Sequence, residues 1–170
     1  MHYLIDGYNL LFRIAKSRRS LEKKRLELIS DLNDAIAPLR IGATLVFDGA
    51  DEHIAYATRA RFDALDIVYT TKALSADEWI LDYLEQTAHP SQYTVVSNDR
   101  ELLGRSKLLQ AETLNLNQFM DLLQKKQARK KRAGTRVGTL KASDRELARL
   151  LLIFEKRLLE DIQNGLNAES

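Results

Sequence analysis

Short apolar runs, rich in β-branched and aromatic residues, recur along the first 115 or so residues of the chain, with amphipathic stretches between them. The clearest runs are residues 3–5, 44–47, 66–69 and 93–96, and a weaker one lies near 108–112. Their apolarity is nearly continuous, which is typical of parallel strands covered on both faces. The pattern therefore predicts an open, mainly parallel sheet of four to five short strands.

The amphipathic stretches have the spacing of helices. Residues 20–37 carry one apolar stripe, and Ser75 and Glu78 are spaced as the capping box that starts a second helix. Shorter helices are predicted over residues 99–104 and 117–124. Because strands and helices alternate, right-handed crossovers should place helices on both faces of the sheet. The predicted fold class is α/β, with three Rossmann-like α/β/α layers.

Composition limits the kinds of protein that this chain can be. Its 170 residues suit one domain with a short appendage, and the absence of Cys excludes disulfides, thiolate nucleophiles and Cys-based metal sites. The longest apolar stretches are far below the roughly 18 residues that a membrane span needs. The N-terminus carries Asp6 and lacks the basic region of a secretory signal. We therefore expect a cytoplasmic protein with no membrane partner.

The formal net charge of +2 conceals an asymmetry between two parts of the chain. Residues 1–124 hold 14 Lys and Arg against 18 Asp and Glu, whereas residues 125–170 hold 12 against 6. The segment 125–142 is rich in basic residues and is expected to be weakly ordered. Ser143 can cap a last helix over 143–166 that packs on the domain. Positive charge concentrated in one segment favours a polyanionic partner.

Four aspartates occupy equivalent places in the predicted topology. Asp6, Asp48 and Asp99 each follow a strand, and Asp77 lies in the first turn of the helix that follows another strand. Strand ends and helix starts of this kind meet at the carboxyl edge of a parallel sheet, where ligand crevices form. Each aspartate also has a purely structural explanation, as a turn residue or as a favourable charge at a helix N-terminus.

Several carboxylates at one edge of a sheet imply a bound cation. Two unit charges 5 Å apart repel by roughly 3 kcal/mol at an effective dielectric constant of about 20, and a hard cation relieves that repulsion. Mg²⁺ and Mn²⁺ take oxygen ligands and can activate water for attack on a phosphodiester. Asn9 and Ser97 are candidates to support the site. Asn9 could instead serve only its own loop, and Ser97 could simply cap a helix.

The residues around these aspartates resemble, in order and spacing, those of the YacP-like NYN-domain proteins. The resemblance covers about residues 2–123 and rests on four motifs: Ile5-Asp6-Gly7-Tyr8-Asn9, Val46-Phe47-Asp48, Ser75-Ala76-Asp77 and Val96-Ser97-Asn98-Asp99. It implies a fold similar to PIN and FLAP-type nucleases, with residues 1–124 as the nuclease domain. It also implies a metal-dependent endoribonuclease of bacterial type, in a group that includes a ribosome-associated enzyme that cuts messenger RNA.

Carried over by position, the resemblance implies a site for Mg²⁺ or Mn²⁺ built from Asp6, Asp48, Asp77 and Asp99, with Asn9 assisting. Catalysis is assigned to Asp6, Asp77 and Asp99, while Asp48 would bind the ion directly or through water. Attack of an activated water in line with the leaving 3′-oxygen would leave 5′-phosphate and 3′-hydroxyl ends.

The basic segment suits contact with RNA phosphates, and such contact weakens steeply with salt because counterions are released. The alternative is a solvated linker that only aids solubility. Messenger RNA is the expected partner and ribosomal RNA a plausible anchor, while the oligomeric state is not predicted. The candidate RNA-binding residues are Lys125, Lys126, Arg129, Lys130, Lys131, Arg132 and Arg136.

Two other functions compete with the nuclease interpretation. A ribosome- or RNA-binding factor with a degenerate acidic site would keep the basic segment and lack catalysis. A phosphatase of the haloacid-dehalogenase type also begins with an aspartate after its first strand. That chemistry needs a second aspartate two residues later, where this chain has Tyr8.

Overall fold

The computed structural model describes residues 1–14, 20–49 and 58–133. The predicted helix over 143–166 and the candidate residue Arg136 lie outside them. The described strands are β1 (His2–Asp6), β2 (Gly42–Phe47), β3 (Thr58–Phe62), β4 (Leu65–Tyr69), β5 (Tyr93–Val96) and β6 (Glu112–Leu114). They form one sheet in the order β3-β4-β2-β1-β5-β6, in which β3 is antiparallel to β4 and the other neighbours are parallel.

Helices connect the strands. Those described are α1 (Gly7–Ile14), α2 (Leu21–Ile36), α3 (Ala76–Gln86), α4 (Arg100–Leu108) and α5 (Leu116–Ala133), with 3₁₀ turns at Ala37–Leu39 and Pro90–Gln92. The predicted capping box of α3 is present, since the backbone N–H of Glu78 donates to Ser75 Oγ at 3.2 Å and the backbone N–H of Ser75 donates to the Glu78 carboxylate at 2.9 Å. Within the described residues, no helix is both long and apolar enough to cross a membrane.

The sheet is buried between two helical layers, which confirms the three-layer α/β/α class. One face packs against α1, α2 and α5, where Leu32 and Phe119 are fully buried, and the other packs against α3 and α4, where Ile80 is fully buried. Neighbouring residues of β1 serve opposite faces, with Ile5 in the first core and Leu4 in the second. Central strands covered on both faces explain the continuous apolar runs of the sequence.

The described part of the sheet has six strands, so the prediction of four to five was too low. The missed strand is β3, where Arg59 and Arg61 interrupt the apolar pattern. It pairs with β4 alone at the end of the sheet, and charged side chains are common on such edge strands because they discourage pairing with other chains. The weak run near 108–112 was also misplaced, since α4 continues to Leu108 and β6 begins at Glu112.

Helix α1 was not predicted, because Asp6-Gly7 has the composition of a turn. In the structure Gly7 is the first helical residue, directly after β1. A Cβ atom at this position would lie 2.5 Å from Cε1 of Phe47 and 2.9 Å from the carbonyl oxygen of Val46. Glycine therefore lets the chain turn from strand to helix without a loop, against the end of β2.

Helix α5 is longer than the predicted helix over 117–124. It continues to Ala133 and so includes the first half of the segment that was expected to be weakly ordered. Its buried stripe continues from Leu123 to Gln127, and Lys130 Nζ donates a 2.8 Å hydrogen bond to the carbonyl oxygen of Pro38. Lys and Arg have good helix propensity, so a basic composition does not end a helix that has packing on one side.

Candidate active site at the carboxyl edge of the sheet

Asp6 is the last residue of β1 and its carboxylate is buried, with 9% of the residue exposed. Its Oδ1 accepts a hydrogen bond from the backbone N–H of Asn9 at 3.0 Å, and its Oδ2 accepts one from Ser97 Oγ at 3.3 Å. Burial raises the pKa of Asp6, and the nearby charge of Asp48 raises it further, while the two hydrogen bonds oppose the shift. The carboxylate is therefore poorly hydrated, and hydrogen bonds from Asn9 and Ser97 partly replace the stabilisation that water would give to its charge.

Asn9, in the first turn of α1, and Ser97, directly after β5, join the end of β1 to the loop after β5. Asn9 Oδ1 accepts a 3.0 Å hydrogen bond from the backbone N–H of Asn98. Ser97 is fully buried, and its Oγ accepts a 3.0 Å hydrogen bond from the backbone N–H of Asp99 while donating to Asp6. Both residues therefore fix the positions of Asp6 and Asp99 relative to each other. From the sequence alone, purely local roles were also possible for them, a loop contact for Asn9 and a helix cap for Ser97.

Asp48 lies just after β2 and contacts the start of α3. Its Oδ1 accepts a 2.6 Å hydrogen bond from the backbone N–H of Ala76, the residue before Asp77. The turn that carries it is closely packed, because the backbone N–H of Gly49 donates to Thr70 Oγ1 at 3.0 Å and a Cβ on Gly49 would lie only 1.7 Å from the carbonyl oxygen of Thr70. Asp48 is thereby tied to the helix that presents Asp77.

Asp99 is the N-cap of α4. Its Oδ1 accepts hydrogen bonds from the backbone N–H groups of Glu101 at 2.7 Å and Leu102 at 3.1 Å. The structural explanation suggested for Asp99, a favourable charge at a helix N-terminus, is therefore realised, whereas Asp48, suggested as a turn residue, also bonds to the start of α3. These bonds use Oδ1 of each residue, and a carboxylate has a second oxygen with which to bind a ligand.

Asp77 lies in the first turn of α3, and its pKa is raised by burial and by the other acidic residues of the site. Burial is the largest cause of a rise in its pKa to about 6, and the carboxylates of Asp6, Asp99, Asp48 and Glu101 raise it further, in that order. The other three predicted aspartates are therefore close enough to Asp77 to repel its charge. Glu101 was missed by the sequence analysis, although its place two residues after Asp99, in the first turn of α4, was a readable signal.

The donor set of this site suits a hard cation, because it consists of carboxylate oxygens whose mutual repulsion a cation would relieve. The side chains do not, however, form a preformed metal cluster. Over residues 1–14, 20–49 and 58–133, no three His, Asp or Glu side chains are arranged so that they could already hold a metal ion. A cation bound directly by three of these carboxylates would therefore require them to move closer together than they are in the structure.

The candidate basic residues from Lys125 to Arg132 lie on α5. The N-terminus of this helix is attached to the acidic edge by a 3.1 Å hydrogen bond from the backbone N–H of Leu116 to Asn98 Oδ1. Lys125, Lys126 and Arg129 line a groove of about 430 Å³ along the helix. At a rise of 1.5 Å per residue they lie roughly 14–20 Å along the helix axis from Leu116. Of the other candidates, Lys130 contacts Pro38, and the backbone positions of Lys131 and Arg132 lie in the last turns.

Comparison with known proteins agrees with this architecture. The family model of the YacP-like NYN domain matches residues 3–164, which extends well beyond the 2–123 over which the motifs resemble that family. The fold is similar to the crystal structure of a tryptophan-to-leucine mutant of Rae1 (YacP) from Bacillus subtilis, with a TM-score of 0.59, 16% sequence identity and coverage of 94% of this chain and 99% of that one.

A second crystal structure of Rae1 (YacP) from Bacillus subtilis aligns with a TM-score of 0.55 and 15% identity, covering 99% of this chain and 96% of the other. At these identities the likeness concerns the fold. No match was found among curated protein sequences.

Proposed function

Because the chain belongs to the YacP-like NYN-domain family, whose members have a nuclease-type activity on RNA, we propose that it is a metal-dependent endoribonuclease that cuts messenger RNA in association with the ribosome. The observation that carries this proposal is the meeting of Asp6, Asp48, Asp77 and Asp99 at one edge of the sheet. Hydrogen bonds link Asp6 through Ser97 to Asp99, and link Asp48 to the residue before Asp77.

The proposed roles are those that the resemblance to the family implies for each aspartate. Asp6, Asp77 and Asp99 would hold Mg²⁺ or Mn²⁺, and Asp48 would complete the site directly or through water. When bound, such an ion would supply Lewis-acid stabilisation of the phosphodiester and would lower the pKa of water. Ser97 and Asn9 keep the carboxylates in position, and Asp77, with its pKa near 6, is the group whose charge a cation would change most.

The basic face of α5 supports RNA as the substrate. Lys125, Lys126 and Arg129 are exposed on one side of the helix, as phosphate contacts require. Their distance from the acidic edge means that they would bind the substrate away from the scissile bond. The same residues are the proposed anchor on ribosomal RNA, and translation of messenger RNA sets the proposed location in the cytoplasm.

Cleavage of a single-stranded RNA in Mg²⁺ tests the proposed activity. The wild type should produce 5′-phosphate and 3′-hydroxyl ends, which mass spectrometry of the products identifies, and Asp77→Asn should abolish the cleavage. Asp82→Asn is the matched control, because it removes an exposed carboxylate from the same helix. Products that end in cyclic phosphates would overturn the mechanism. Mapping RNA 5′ ends in cells with and without Asp6→Asn, at codon resolution, tests the role of translation.

The second candidate is an RNA- or ribosome-binding factor with an inactive acidic site. Two observations favour it. The carboxylates of the described residues do not form a preformed metal cluster, and both Asp99, as the N-cap of α4, and Asp48, as the acceptor of the Ala76 N–H, already have structural roles at helix N-termini. If the wild type binds RNA but never cuts it, free or on translating ribosomes, this candidate replaces the nuclease.

A further inference from the structure

A row of four aromatic rings begins beside the acidic site and ends at the protein surface. Phe47 stacks on Tyr69 with 5.6 Å between ring centroids, Tyr8 meets Phe47 edge-on at 5.3 Å, and Phe12 stacks on Tyr8 at 5.6 Å. Phe47 and Tyr69 are the last residues of two neighbouring strands, and Tyr8 comes two residues after Asp6. The row is therefore continuous with the carboxyl edge where the aspartates meet.

Phe12 is the outermost ring of the row and is 61% exposed. Its ring plane is 17° from that of Tyr8, so one face of the ring is covered by stacking. Because the residue is nevertheless mostly exposed, its other face must be open to solvent. An exposed aromatic ring beside a candidate active site is a surface on which a planar ligand can continue the stack.

The rings beneath Phe12 are held in place by Arg25. Its Nη1 donates a 3.2 Å hydrogen bond to the hydroxyl of Tyr8, and its guanidinium lies 5.5 Å from the ring centroid of Tyr69. The row therefore carries a positive charge and is fixed at two points. A rigid aromatic surface with an adjacent guanidinium has the chemistry that proteins use to bind unpaired bases of single-stranded RNA.

We propose that the outer face of Phe12 is a stacking subsite for an unpaired nucleobase of the RNA that this site cuts. The inference rests on the proposed function. It assigns a binding contact to a part of the RNA that the acidic residues do not touch. Phe12 lies six residues beyond Asp6, roughly 9 Å along α1 at 1.5 Å per residue. At 3.4 Å per stacked nucleotide, that distance corresponds to a base about two to three positions from the scissile phosphate.

Stacking on a ring face is tolerant of base identity, since every base has a π-face. The subsite should therefore select unpaired RNA over duplex RNA without reading its sequence. Duplex bases are already stacked on one another and cannot continue the row of rings. A protein partner that used Phe12 as an apolar contact would show no such preference for unpaired bases.

Equilibrium binding of a fluorescently labelled 12-nucleotide single-stranded RNA tests the inference, in an Asp77→Asn background that should not cut the probe. Phe12→Ala should weaken binding by about 5- to 50-fold, in line with the effect of removing one stacked base, and Phe12→Trp should restore it. Leu108→Ala is the control, because it removes an exposed apolar side chain from the far end of α4. Binding of a 12-base-pair duplex RNA should be the same for all three variants.

A second measurement locates the subsite. The fluorescence of 2-aminopurine, placed in the single-stranded probe, should be quenched on binding to the protein with Phe12, and the quenching should be lost in Phe12→Ala. The subsite would be overturned if Phe12→Ala left the affinity for the single strand unchanged, or if it weakened binding of the single strand and of the duplex equally. Either result would leave the nuclease proposal standing. If no variant binds any RNA while all remain folded by circular dichroism, both proposals fail.

Discussion

Ser97 Oγ donates a hydrogen bond to Oδ2 of Asp6 across 91 residues of sequence, and the same oxygen accepts the backbone N–H of Asp99. One buried hydroxyl thus fixes the distance between two of the four aspartates. Ser97→Ala should remove both bonds, lower the free energy of unfolding by about 1–3 kcal/mol and reduce RNA cleavage. Urea unfolding and a cleavage assay measure the two effects.

Ser106→Ala is the matched control for Ser97→Ala. Ser106 is also fully buried, and its Oγ donates a 2.8 Å hydrogen bond to the carbonyl oxygen of Leu102 within α4. Its loss should lower stability by a similar amount without reducing cleavage by the folded protein. Equal loss of cleavage in both variants would mean that Ser97 acts only through stability.

Asp77 should make the protein less stable as the pH rises. Its pKa is raised to about 6 in the folded chain from an ordinary value of 3.8, so between these values the folded state binds more protons than the unfolded state. The free energy of unfolding therefore decreases with increasing pH across this interval. Asp77→Asn should be more stable than the wild type above pH 6, by about 1 kcal/mol after allowance for solvent screening, and no more stable below pH 4.

Urea unfolding of the wild type and Asp77→Asn at several pH values between 3.5 and about 7.5 measures this difference. Asp82→Asn is again the control, and its stability should follow the wild-type pH dependence. An identical pH dependence in Asp77→Asn would show that the carboxylates do not repel Asp77 in solution.

Divalent metal should stabilise the folded chain through the same carboxylates. A ligand that binds only the folded state at 100 times its dissociation constant adds about 2.7 kcal/mol to the free energy of unfolding. Thermal unfolding should therefore shift upwards with MgCl₂ or MnCl₂ in the wild type, and much less in Asp6→Asn. NaCl at matched ionic strength controls for screening of the acidic edge, and an equal shift with NaCl would contradict specific binding.

The basic face of α5 should govern the salt dependence of RNA binding. Changing Lys125, Lys126 and Arg129 together to Gln should weaken binding of single-stranded RNA and reduce the slope of log K against log salt by about 2, or roughly 0.7 for each phosphate that is no longer neutralised. Binding titrations at several salt concentrations measure the slope. Changing Arg105 and Lys107 of α4 to Gln is the control, and an unchanged slope in the α5 variant would exclude this face from the interface.

Local signals in the sequence predicted the structure well where one element determines the outcome. Ser75 and Glu78 form the expected capping box because both partners lie within one turn of the same helix. The aspartates could be assigned to the carboxyl edge because each directly follows an apolar strand or begins a helix. The fold class followed from the alternation of strands and helices, and the family followed from the resemblance of the four motifs.

The parts that were missed depend on residues distant in sequence. Glycine is needed at the first position of α1 because Phe47 and Val46 of the neighbouring strand occupy the space of a Cβ. Strand β3 exists because β4 supplies the backbone partner for a sequence that contains Arg59 and Arg61. The sequence does not indicate that Phe12 is exposed, because there it is only one apolar residue of a short amphipathic stretch.

The attachment of α5 at both ends has a consequence for substrate length. Near its start, Leu116 is bonded to Asn98 beside the acidic edge, and near its end Lys130 is bonded to Pro38. A helix secured in this way is a spacer of constant length between the aspartates and the lysines. The separation of roughly 14–20 Å along the helix between Leu116 and the basic residues corresponds to about four to six stacked nucleotides. Under the proposed function, shorter oligonucleotides would reach only one of the two ends, so the protein backbone would set the minimum footprint of the RNA.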